Sequence, residues 1–132
     1  MGVLWTVWPL DEQMTAWLDD QGIAYPTQPS RFPTGAEIRA VLSSFPGNVE
    51  VTENGDGGPY SAFVTQGTGE AERWTLLQVT EFTGDSHPQE LWFEKGHEDL
   101  IKDLLQRLTR ACGPLALIAD VGDPPQIINV SI

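Results

Sequence analysis

The chain has 132 residues, a length that suits one domain with a single core. Apolar residues make up 40% of it, with five Trp and five Phe, which excludes wholesale disorder. Nineteen Asp and Glu stand against seven Lys and Arg, a formal charge of −12, which argues against direct contact with nucleic-acid phosphates or anionic lipid.

One cysteine, Cys112, leaves no internal disulfide and no Cys-rich zinc site. No stretch approaches the ~18 continuous apolar residues of a membrane span. The start, Met1 to Thr6, is apolar, but the first basic residue is Arg31, so a secretory signal is not expected. Gly2 and Thr6 fit the short Met-Gly-x-x-x-Ser/Thr pattern for myristoylation, with no basic cluster behind it to give a second membrane signal. The expectation is a cytoplasmic protein with a reduced thiol.

Leu10, Met14, Trp17 and Leu18 recur at one helical face, with Asp11 and Glu12 in the first turn and Gly22 as a stop. Three prolines make 25–33 a loop. Thr34 and Glu37 then form a capping box before Ile38, Val41, Leu42 and Phe45, and Pro46-Gly47 ends this second helix. From Asn48 the period changes to two. Strands are predicted at about 48–54, 60–66, 74–82 and 90–94. Between them lie turns at Asn54-Gly55-Asp56-Gly57-Gly58-Pro59, Gly67-Thr68-Gly69 and Gly84-Asp85-Ser86-His87-Pro88. Such short connections make an antiparallel meander.

Leu100, Ile101, Leu104, Leu105, Leu108, Ala111 and Cys112 form the broadest apolar stripe, and Gly113-Pro114 stops that third helix. Two closing strands follow, at 115–120 and 126–131, around Gly122-Asp123-Pro124-Pro125. The order ααββββαββ predicts one α+β domain over 1–132, a mostly antiparallel sheet with helices packed on one face.

Residues with chemical potential are few. His87 precedes Pro88 in a turn. His97 stands at the entry to the third helix, and its neighbours Glu98 and Asp99 do not share a face with it, so a metal site is not expected. Cys112 falls on an apolar stripe, away from a helix N-terminus that would activate it. Asp120 and Asp123 read as turn residues. Gly55 to Gly58 lacks the Lys-Ser/Thr and the helix of a phosphate loop. No nucleophile elbow, Walker motif or His-Glu-x-x-His occurs. Neither an enzymatic activity nor a cofactor is expected.

Charge distribution is more informative. Residues 43–94 hold nine acids and one base, Arg73, two-thirds of the whole excess. Leu91 and Phe93 should face the core, which puts Glu90, Trp92 and Glu94 on the outer face. In the third strand, Trp74, Leu76, Gln78, Thr80 and Phe82 share one parity and Leu77, Val79 and Glu81 the other, and the outward side is undecided. A band of acid with almost no compensating base suggests a cationic partner, and an exposed Trp among carboxylates suits an interface anchor. The candidate partner-binding residues are Glu50, Glu53, Glu81, Asp85, Glu90, Trp92 and Glu94.

A small acidic α+β domain with Trp17 in a helix and a Gly113-Pro114 helix stop resembles the immunity proteins of bacterial polymorphic and type VI secretion toxins. That resemblance implies an antitoxin that masks the cationic active site of a cognate protein toxin, without direct nucleic-acid or membrane binding. Two other classes stay open. One is an acidic mimic of nucleic acid, against which Lys102, Arg107 and Arg110 on the third helix weigh. The other is an enzyme or small-ligand binder with an unrecognised pocket, which would line a cavity with Trp.

Overall fold

A computed structural model describes residues 4–53, 59–122 and 124–129. Its elements in chain order are β1 (Leu4–Pro9), α1 (Glu12–Gln21), α2 (Gly35–Ser44), β2 (Asn48–Glu53), β3 (Tyr60–Gln66), a 3-10 turn (Gly69–Ala71), β4 (Arg73–Val79), β5 (Leu91–Gly96), α3 (Glu98–Cys112), β6 (Leu115–Ala119) and β7 (Gln126–Ile128). The class is α+β, as expected from the sequence, with β1 added in front of the predicted order. Gly2, the Asn54 to Gly58 part of the expected hairpin turn, Asp123 and Ser131 lie outside the described residues.

The described strands form one antiparallel sheet in the order β2-β3-β4-β5-β1-β6-β7. β1 therefore lies in the interior of the sheet, bonded to β5 on one side and β6 on the other.

Local chemistry sets the helix ends. The Asp11 carboxylate accepts from the Met14 amide at 2.8 Å and from the Trp8 indole at 3.0 Å, which caps α1 and ties it to β1. Gly22 ends α1 in the left-handed region, φ 71°. The predicted capping box opens α2: Glu37 N donates to Thr34 Oγ1 at 3.3 Å, and Thr34 N donates to Glu37 Oε1 at 2.8 Å. Arg31 grips the same carboxylate with two nitrogens, at 2.7 and 2.9 Å.

The Arg31 hydrogen bonds, ahead of the amide bond from Thr34, pull the Glu37 carboxyl down from 4.5 to about 2. A carboxyl depressed by folding adds stability above its unfolded value and loses it as the pH falls through its folded value. The contribution of Glu37 should therefore disappear between about 4.5 and about 2. Glu37→Gln is expected to cost ~1–2 kcal/mol near neutral pH and much less in strong acid. Urea unfolding at both pH values checks this; an equal loss at both would contradict it.

Strand alternation divides the sheet into two faces. Val51, Ala62, Leu77, Phe93, Trp5 and Ala119 stand opposite one another on successive strands and form one row. All but Val51 are buried. Leu100, Ile101, Leu104, Leu105 and Leu108 of α3 and Ile38 and Leu42 of α2 belong to the same core.

The sequence placed every helix on one face; the helices in fact divide between the two. Met14 and Leu18 of α1 cluster with Ala116, Trp8, Ile118 and Ile127, whose strand neighbours of the other parity face the main core. Thus α1 covers the opposite face, over β1, β6 and β7 only. Trp17, on the predicted α1 stripe, stays 39% exposed.

Candidate functional site: an uncovered face of the sheet

Beyond the reach of α1, the face of β2, β3, β4 and β5 carries no covering helix among the described residues. Antiparallel register sets Glu50, Phe63, Leu76, Glu94 and Leu4 side by side across five strands. Strands ~4.8 Å apart put Glu50 and Glu94 roughly 14 Å from each other, with Phe63 and Leu76 between them. Thr52, Ser61, Gln78, Trp92 and Thr6 form the adjoining row. Trp74 stacks on Phe63 with ring centroids 5.9 Å apart. Phe63 and Leu4 are each 39% exposed. The result is an aromatic and aliphatic patch interrupted and flanked by carboxylates.

The expected outward parity of Glu90, Trp92 and Glu94 matches the burial pattern, because Leu91 and Phe93 are buried. The undecided parity of 74–80 resolves with Leu77 and Val79 inward and Trp74, Leu76 and Gln78 outward. Phe82 broke that pattern because β4 ends at Val79 and the chain leaves the sheet before Phe82 turns inward. Phe63, Trp74 and Leu76 were missing from the sequence-derived set. Only their cross-strand register with Glu50 and Glu94 exposes them as one patch.

Of the seven predicted residues, Glu50, Trp92 and Glu94 lie together on this face. Gln78 Nε2 donates to Glu94 at 3.3 Å, and the Trp92 indole donates to Thr80 Oγ1 at 3.3 Å. Glu90 and Glu81 share a cleft with Thr80, Thr83 and Pro88 at the end of β4 and β5. Buried Gln89 ties this loop together through bonds to Thr83, Gly84 and His87.

Glu53 and Asp85 go elsewhere. Both face α2, where Arg39 Nε donates to Asp85 at 2.9 Å and the other two guanidinium nitrogens fork onto Glu53. The two carboxylates raise the Arg39 pKa above its ordinary value. The guanidinium also lies over Phe82, 4.7 Å from the ring centre, and over Tyr60 at 5.5 Å. These two acids form an internal clasp, leaving the uncovered face with Glu50, Glu90 and Glu94.

The remaining candidates are structural in setting. His97 is the N-cap of α3, and its Nδ1 accepts from the Trp74 backbone N–H at 3.1 Å. Cys112 is buried, and burial pushes its thiol up to about 11, far from thiolate chemistry. Among the described residues no three His, Cys, Asp or Glu side chains converge to hold a metal ion. No described helix is long and apolar enough to cross a membrane.

Comparison with protein-family models, with curated proteins and with solved structures returned no match.

Proposed function

We propose that the chain is a binding protein rather than an enzyme: an immunity protein that neutralises a cognate toxin by laying its uncovered sheet face over the toxin's cationic active site. One observation carries this reading. Phe63, Trp74 and Leu76 present an apolar patch between Glu50 and Glu94, and Trp92 stands in the adjoining row beyond Gln78 and Glu94. Solvation alone gives carboxylates no reason to share a face with stacked aromatics. An interface does, because aromatic anchors supply the desolvated centre and surrounding charge speeds and orients encounter. The rigid sheet holds both sets at fixed spacing, so little ordering is needed on association.

The test is co-expression with the product of the adjoining upstream gene, scored by rescue of growth and by recovery of a stoichiometric complex. Reversing two charges, Glu50→Lys with Glu94→Lys, is expected to slow association about tenfold or more at low salt. The thermal midpoint should stay nearly unchanged, since both acids are on the solvent side. Rescue and binding that are indifferent to the reversal and to salt would overturn the reading.

A further inference from the structure

Pairing between β1 and β5 ends at Thr6 and Trp92, while β1 continues beside β6 to Pro9. The two strands part there, and a pocket of about 300 Å³ occupies the gap. Trp8, Trp92 and Phe32 line it, with Leu4, Thr6 and a single carboxylate, Glu90. Trp8 meets Phe32 edge to face at 5.3 Å. The two indole N–H groups are engaged within the protein, by Asp11 and Thr80. Their bonds hold the rings in place and take up the polar edges of both indoles.

We propose that this pocket receives the guanidinium group of an arginine on the protein partner, an inference that rests on the binding role argued above. Aromatic faces attract a cation through their quadrupole, and one carboxylate beside them supplies the opposite charge. Guanidinium fits better than ammonium. It is planar, stacks on rings, and gives up its water more readily. The same molecule already holds an arginine in this way: Arg39 lies over Phe82 and Tyr60 with Glu53 and Asp85 at its nitrogens. Glu81 shares a cleft with Glu90, so a second carboxylate close by also favours a cationic visitor.

The probe is N-acetyl-arginine amide, titrated into the isotope-labelled full chain while the five tryptophan indole N–H resonances are followed. Saturable shifts are expected at Trp8 and Trp92, with Trp5, Trp17 and Trp74 unmoved. The neutral isostere N-acetyl-citrulline amide should bind about tenfold more weakly or worse. Glu90→Gln should weaken the arginine probe by a similar factor and leave the citrulline probe unchanged. Equal binding of the two probes, shifts that never saturate, or indifference to Glu90→Gln would overturn the proposal. The co-expressed partner separates the two claims. A complex that forms although the arginine probe does not bind sinks the pocket alone. Arginine binding without any complex leaves the pocket chemistry standing and sinks the partner reading.

Discussion

Truncation of Phe93 to Ala is expected to lower stability by about 3–5 kcal/mol, a large part of the roughly 5–15 kcal/mol that a typical domain possesses. Phe93 has no exposed surface and stands in the middle of the sheet, between Leu77 of β4 and Trp5 of β1. Its ring belongs to the same buried cluster as Leu100, Leu104 and Leu108 of α3. A cavity there is hemmed in by the hydrogen-bonded ladders of β4 and β1, which limits collapse. Urea unfolding followed by tryptophan emission measures the loss. A cost under ~1 kcal/mol would mean that this row is not packed as described.

Gly113→Ala should be nearly as severe, at about 3–5 kcal/mol, for a different reason. Gly113 follows α3 with φ 87° and ψ −179°, a backbone region used almost only by glycine. A Cβ there would stand 2.0 Å from the Pro29 carbonyl oxygen, and no rotamer relieves a clash between two main chains. The loop cannot easily retreat, because Arg31 N donates to the Cys112 carbonyl at 3.0 Å. Gly22→Ala is the matched control. Gly22 also has positive φ, but nothing lies within 4 Å of its hypothetical Cβ. Its replacement should cost only ~1 kcal/mol, the backbone penalty alone. Equal losses at the two glycines would show that the Pro29 contact does not matter.

Those two glycines also show what the sequence could and could not reveal. Each was legible as a helix stop, and each is one. Only the structure separates a simple left-handed cap at Gly22 from an extended glycine wedged against Pro29. The capping box at Thr34 and Glu37 was equally legible, because its partners are three residues apart. Leu4–Pro9 was not. It is an interior strand with Trp5 and Val7 buried on one side and Trp8 packed on the other, so no clean polar alternation marks it.

At the candidate site the outward side of 90–94 could be read from Leu91 and Phe93. The use of Glu53 and Asp85 by Arg39 could not, since the partners are 14 and 46 residues away in sequence. The patch of Phe63, Trp74 and Leu76 needed register, which lives between strands rather than within one.

The position of β1 has a consequence for how the molecule comes into being. β1 precedes the other described elements in the chain, yet its two neighbours are β5 and β6, which end at Gly96 and Ala119. The hairpins of β2, β3 and β4 can form from local contacts as they emerge from the ribosome. β1 can pair with β5 only once Gly96 has been made and with β6 only once Ala119 has, and its strand edges stay unfilled until then. β1 is thus the one strand through which the β2–β5 meander joins β6 and β7, and a cut between β5 and β6 would leave one edge of β1 unpaired.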